Sequence, residues 1–266
     1  MAVRLLLISQ QGGTMDSGFY AACAGLRAQS QALEVSAHNL ANVNTPGFRG
    51  LQTSFQSQMA ESGPVPNVRN SVLNLATNNY GVLEGTHLDR TAGNLQATGN
   101  PLDVGIQGGG FFAVETAAGT RYTRAGNFQV SSAGLLVTAA GDPVLGAPGL
   151  GARSQIHVPA GPVAIAADGT LSVKGAVAGS IRVVEFAPGT QLIPEGETLL
   201  AAPEGSAQAA GESSLRQGTL ETSNVNSIQS VVTLIGVQRQ AEMLQRAINV
   251  FDTEMNRIAS TDLAKV

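Results

Sequence analysis

The sequence predicts an α+β fold in which N- and C-terminal helices pair as a coiled-coil-like stalk, with a mostly antiparallel β domain inserted between them. Leu234, Ala241, Ile248 and Met255 recur every seventh residue near the C-terminus, and Val237, Leu244, Phe251 and Ile258 follow three positions behind. That is the a/d stripe of a helix built to lie against another helix. Phe19, Leu26, Leu33 and Leu40 repeat the same interval at the other end of the chain. Between the two, the apolar period shortens to alternation, and glycine-rich turns interrupt it at strand-length spacing.

Residues 1–14 read as a disordered tail or a start-site artefact. The apolar run Leu5 to Ile8 is too short for the core of a secretory signal, and a second methionine, Met15, opens the helical pattern. Asp16 or Ser17 caps a helix that runs to Ala41. The cluster Asn42, Asn44, Thr45, Pro46 and Gly47 ends it, because Pro46 lacks an amide donor and forces Thr45 out of helical geometry. Phe48 to Met59 continues as a further helix or an extended segment, completing a first helical part over residues 15–62. Gly63-Pro64-Val65-Pro66 opens a linker over 63–88.

The β domain is expected over 89–200. Val104 to Val114 is an apolar stretch broken by Gly108-Gly109-Gly110, a strand, turn and strand. Ala117 to Thr120, Ser131 to Gly134 and Ala140 to Asp142 then punctuate consecutive hairpins, and Asp168-Gly169 is the dipeptide suited to a turn with positive φ. A low-complexity stretch predicts a second linker over 201–217. Residues 218–266 hold the C-terminal helix, capped by Asn226 or Ser227 and running to about Thr261, roughly 50 Å at ~1.5 Å per residue. Its e and g positions, such as Gln238, Gln240, Gln245 and Ala247, are mostly neutral. Such flanks suit lateral packing in a crowded array better than a zipper specified by salt bridges.

Composition narrows the function. The net charge of −4, with 15 basic and 19 acidic residues dispersed along the chain, leaves no electrostatic footprint for nucleic acid. No segment has the apolar length to cross a membrane. The one cysteine, Cys23, excludes an internal disulfide and a thiolate cluster. His38, His87 and His157 are far apart and lack a second ligand at helical spacing, and no Gly-x-Ser-x-Gly nucleophile motif occurs. The glycines from Gly105 to Gly110 are not followed by the Lys-Ser or Lys-Thr of a phosphate loop. Glu84 with Asp89, and Asp103 with Glu115, are the conceivable carboxylate pairs, but glycan clefts are usually lined with aromatics and the chain has no Trp. Neither catalysis, a cofactor nor a metal is expected.

Three groups of words then carry a resemblance. Asn39-Leu-Ala-Asn-Val-Asn-Thr-Pro-Gly-Phe48 resembles the N-terminal signature of bacterial flagellar rod and hook proteins. Pro101 to Ile106, Gly110-Phe-Phe112 and Tyr122-Thr-Arg124 with Gly126 and Phe128 resemble the opening of that family's β domain. Gly218 to Asn226, with Gln238-Arg239 and Glu242, is similar to its C-terminal signature. The resemblance spans Met15 to Leu263 and is to the flagellar basal-body rod family of the FlgF/FlgG type. The Met15 start and the stretches Ile156 to Pro159 and Asp168 to Val173 look more like the proximal-rod member than the distal one. At Gln240-Ala241 the chain departs from the family pattern, in which an aromatic often precedes the glutamate.

The resemblance implies a subunit of the hollow shaft linking motor to hook, exported through the flagellar channel without a cleaved signal peptide. The implied partners are other rod subunits, copies of the same chain and the export apparatus, with no nucleic acid and no membrane insertion. The implied assembly interface comprises Phe19, Leu26, Leu33, Leu40, Asn42, Asn44, Pro46, Gly47 and Phe48, with Leu234, Val237, Ala241, Leu244, Ile248, Phe251, Met255 and Ile258. A periplasmic glycan-acting enzyme and a secreted coiled-coil adhesin or effector are the competing classes. The first requires converging carboxylates; the second shares the terminal helices but has no reason to carry the rod words.

Overall fold

The computed structural model describes residues 12–59, 79–147, 155–211 and 213–263. They fall into two compact units. The first draws on Met1–His38, Leu51–His87 and Ile228–Val266, and the second comprises Asn39–Gly50 and Leu88–Ser227.

In the helical unit, α1 (Gly12–Ala41) begins four residues ahead of Asp16, so the start expected there lies inside the helix. Residues 1–11 of the expected tail lie outside the described residues. α2 (Ser227–Leu263) has 37 residues, about 55 Å at ~1.5 Å per residue, and starts at one of its two expected caps. Of the two alternatives for the segment after Phe48, the structure has the extended one: Leu51–Met59 is a strand, β1, and it pairs with β2 (Asn79–Leu88). β2 occupies the end of the segment expected to be linker; Gly63 to Pro66 lies outside the described residues. Leu51, Phe55 and Met59 recur every fourth residue, a spacing that falls on one face of a helix and equally on one face of a strand, so the pattern leaves the choice to backbone pairing with β2.

The β unit is built from antiparallel pairings. Its largest sheet runs, in order, through β13 (Ile193–Glu195), β14 (Leu199–Ala201), β6 (Gly119–Thr123), β5 (Phe111–Thr116), β12 (Val183–Phe186) and β15 (Ala207–Ala209). At its centre β5 is buried on both faces over Phe111 to Val114. Alternation explains how a continuous apolar run is used. Phe112 and Val114 face one core with Phe128, Leu136 and Leu171, while Phe111 faces a second with Val184, Phe186 and Leu200. Phe112 meets Phe128 edge-on at a centroid distance of 4.9 Å.

Most expected turns form hairpins. Asp168-Gly169 joins β9 (Val163–Ile165) to β10 (Thr170–Val173), with Gly169 at φ 88° and its N–H donating to Ala166 O at 3.0 Å. Ala117-Ala118 joins β5 to β6 (Gly119–Thr123), and Ser131 to Gly134 lies between β7 (Gln129–Val130) and β8 (Leu136–Val137). The triple glycine is different. β4 (Val104–Gln107) does not pair with β5; it pairs with β16 (Ser214–Gln217), and Gly108 to Gly110 carries the chain from one sheet to another.

That pairing corrects the second expected linker. Residues 201–217 contain the end of β14 (Leu199–Ala201), β15 (Ala207–Ala209) and β16. β17 (Thr219–Glu221) follows and pairs with β3 (Leu95–Ala97), so the returning chain closes against the strands on which the domain began. Leu215 is the one large apolar residue of β16, and it is buried in the first core. β4 supplies the remaining order through its backbone.

Phe112→Ala removes a fully buried ring from the face shared with Phe128 and is expected to lower the stability of the β unit by about 3–5 kcal/mol. Chemical denaturation followed by β-sheet circular dichroism checks it.

Candidate assembly site

Two features of this structure bear on assembly: the helix faces, and the junction where the chain passes between the helices and the β unit.

On α2, Leu234, Val237, Ala241, Leu244, Ile248 and Phe251 are half-buried, joined by Ser230 and Ala247, while the residues between them are exposed. The 3–4 spacing puts these positions on one face. Met255 and Ile258 lie in α2, but their side chains are outside the described residues. On α1 the buried residues are small: Ala22, Ala28 and Ala32. Leu26, Leu33 and Leu40 are half-buried. At ~100° per residue Ala28 and Ala32 occupy a face roughly a third of a turn from those leucines, while Ala22 lies in line with them. A Cβ on Gly25, which shares the face of Ala28 and Ala32, would stand 3.4 Å from Leu244 Cδ1. The side chain of Leu244 therefore rests where α1 carries no side chain at all. Phe19 lies in α1 with its side chain outside the described residues.

At the junction, α1 gives way to a turn in which Thr45 N–H donates to Asn42 O at 3.1 Å and Thr45 Oγ1 donates to Asn42 Oδ1 at 3.0 Å. Asn42, Gly47 and Phe48 are buried, Pro46 is half-buried and Asn44 is exposed. Three of these expected interface residues are thus buried within the single chain. Gly47 has φ 69°, and a methyl there would overlap the Arg124–Ala125 peptide. Its N–H donates to Glu221 O at 2.8 Å.

The next residue after Phe48 is Arg49, which is absent from the expected interface. Arg49 Nη2 stands 2.7 Å from Glu221 Oε1, and Arg124 Nη1 stands 2.9 Å from Glu221 Oε2. All three side chains are no more than 3% exposed. Further contacts hold each in place. Arg49 Nη1 donates to Thr91 O, Arg124 Nη2 donates to Gly108 O at 2.6 Å, and Gly93 N–H donates to Glu221 Oε1 at 2.8 Å. The Arg124 guanidinium also lies 5.1 Å from the centre of the Phe111 ring. Burial pulls the Arg49 guanidinium down to about 10, against the opposing pull of Glu221, and Arg124 is lowered by the same desolvation. Both remain cationic at neutral pH, so the triad holds two positive charges and one negative.

Asn224 fastens the same junction from the C-terminal side. Its Oδ1 accepts from Gly50 N–H at 2.8 Å, and its Nδ2 donates to Asp89 O at 3.2 Å and Thr91 O at 3.1 Å. Each of the three motif groups in the sequence therefore supplies or adjoins one corner: Arg49 after the first, Arg124 in the second, Glu221 in the third. The available signal was a charged residue in or beside each word, in a chain with only 13% charged residues.

Among the described residues, the candidate catalytic groups make separate contacts. His87 Nε2 lies 3.1 Å from Ser54 Oγ, and His157 bridges to Leu135 through the backbone. Asp103 accepts from Thr98 Oγ1 at 2.7 Å and Asn100 Nδ2 at 2.9 Å, whereas Glu115 accepts from Gln155 at 3.4 Å. The Glu84 side chain is outside the described residues. Among the described residues no group of three His, Cys, Asp or Glu could hold a metal, and no helix is long and apolar enough to cross a membrane.

An axial protein of the flagellum is the class that fits two long terminal helices, an inserted antiparallel β domain and these words at their junction. Three family models match in the corresponding order: the flagella basal body rod protein at residues 19–49, the flagellar hook protein FlgE/F/G D1 domain at 105–173, and the flagellar basal body rod FlgEFG protein C-terminal at 216–261. The chain is 34% identical over 230 residues to the flagellar basal-body rod protein FlgF of Mesorhizobium japonicum, covering 86% of this chain and 90% of that protein. It is 34% identical over 260 residues to FlgF of Salmonella typhimurium, covering 91% and 97%. Against FlgG of Agrobacterium fabrum it is 34% identical over 264 residues, again covering 91% and 97%. The chain belongs to the flagellar basal-body rod protein family.

Glu221→Gln leaves two buried guanidinium groups without a counter-charge and is expected to cost about 3–5 kcal/mol. Urea denaturation of the full chain measures it, and a loss within about 1 kcal/mol of zero contradicts the role assigned to the triad.

Proposed function

We propose that this chain is a structural subunit of the flagellar basal-body rod, of the FlgF kind, that polymerises through its terminal helices into the shaft linking motor to hook. The observation that carries this reading is α2. A helix of 37 residues has an apolar a/d row that is half-covered along its described length, where a helix in a closed core would be fully covered. The family to which the chain belongs supports the setting, since its relatives are named as basal-body rod proteins. The choice of FlgF over FlgG follows the resemblance of the β domain, and FlgG relatives match at similar identity.

In this reading the helices complete their cover against neighbouring subunits, including copies of the same chain. The gross gain from burying the remaining apolar surface, at about 25 cal/mol per Å², drives incorporation against the entropy of fixing each subunit. The β unit, with its own two cores and internal ion triad, folds without neighbours. Asn42, Gly47 and Phe48 support assembly indirectly, by fixing where the chain leaves α1. The protein passes to the basal body through the flagellar export apparatus and works as a building part, without a catalytic step.

Deleting Leu234 to Val266 is expected to leave the β unit folded and to block incorporation into rods. Leu244→Asp, which places a carboxylate on the a/d face, is expected to abolish motility in a complementation assay while leaving β-sheet circular dichroism unchanged. Normal swimming from either variant contradicts the reading.

A further inference from the structure

α2 carries a second apolar row. Val231, Val232, Ile235, Met243 and Val250 are exposed, with Val232 at 60% and Val250 at 67%. At ~100° per residue Val232, Ile235, Met243 and Val250 cluster roughly opposite the a/d face, with Val231 at their flank. Arg239, Glu242 and Arg246 lie in the same row, and all three are exposed. A solvent-facing helix surface ordinarily carries polar residues, so a β-branched cluster opposite the core face marks a surface that is covered in the working state.

We propose that this second row is the contact between copies of the chain, with α2 of one subunit lying parallel to α2 of the next and displaced by about one helical turn, ~5.4 Å. The inference rests on the rod reading and names the face that acts in it. Charge complementarity selects the arrangement. Glu242 is flanked on its own face by Arg239 three residues before and Arg246 four residues after. With no displacement, parallel copies set Arg against Arg and Glu against Glu. A displacement of three or four residues sets Glu242 against Arg239 or Arg246 of the neighbour. The same displacement sets Ile235 against Val232, or Val231 against Ile235, so apolar and charged pairs are satisfied together.

Antiparallel copies do worse. Setting Glu242 against Arg239 then places Ile235 opposite Arg246 and Val232 opposite Asn249. Setting Glu242 against Arg246 places Ile235 opposite Thr253 and Val232 opposite Asn256. Either leaves the apolar cluster facing polar residues. The two faces therefore differ in role: the a/d row meets the chain's own α1, as at Leu244 and Gly25, and takes its remaining cover from neighbouring subunits, whereas the outer row meets another copy of the chain.

The test uses cells whose sole copy carries Val232→Cys with Cys23→Ser, treated with a short bis-maleimide after basal bodies have assembled. A product of twice the 27.2 kDa chain is expected. Antiparallel neighbours would hold the two substituted positions at least about 25 Å apart, counting ~1.5 Å per residue, and would give none. Ser230→Cys, on the a/d face, is expected to give no such product. If Val232→Cys itself halts assembly, Val250→Cys takes its place. Ile235→Asp is expected to abolish swimming with unchanged circular dichroism. Absence of the homodimer product, a product with a different protein alone, or normal swimming of Ile235→Asp overturns the proposal. Loss of swimming in Leu244→Asp alongside normal swimming in Ile235→Asp would leave the rod reading intact and this face wrong.

Discussion

The buried contact of Glu221 with Arg49 and Arg124 is the constraint on which the β unit depends. Three charges removed from water cost several kcal/mol each, and their attraction repays this only with close geometry and further hydrogen bonds. Glu221 meets both conditions, since each oxygen faces a guanidinium and one also accepts the Gly93 N–H. The repayment is incomplete. Nε of Arg49 and Nε of Arg124 are buried without hydrogen-bond partners, and Arg49 Nη2, although 2.7 Å from the carboxylate, lacks hydrogen-bonding alignment. An apolar cluster of the same volume would be at least as stable but less particular. The triad selects one register for three segments separated by most of the chain.

That selectivity explains why the turn after α1 belongs with the β unit and not with the helix it terminates. Phe48 supplies the buried area, Gly47 permits the close approach to the Arg124–Ala125 peptide, and Arg49 and Asn224 fix the register. Apolar burial holds the segment; polar contacts say where.

Much of this was legible in the sequence. The a/d spacing of Leu234 to Phe251 reports a one-sided helix because 3.6-residue periodicity leaves no other way to bury every third or fourth residue. Asp168-Gly169 reports a hairpin because few dipeptides tolerate positive φ. The return strands were not legible: Leu215 is a lone apolar residue in Ser-Leu-Arg-Gln, and β16 exists through hydrogen bonds to β4, more than a hundred residues away. Gly108 to Gly110 misled for a related reason, since a tight glycine turn has the same local chemistry whether the strands beside it pair or part. The alanine face of α1 was hidden too. Leucines at heptad spacing advertise themselves, whereas Gly25, Ala28 and Ala32 matter by letting another helix come close. The triad needed three distant residues to be seen at once, which no local pattern offers.

If the triad fastens residues 42–50 to the β unit as one cooperative body, the amides of that segment open only when the body opens. Native-state hydrogen exchange of the full chain, read at Gly47 N–H, Gly50 N–H and Gly93 N–H against Val114 and Leu136 in the core, measures this directly. The predicted result is a common opening free energy for all five. Exchange of Gly47 and Gly50 at a much lower free energy, with the core still protected, would contradict it.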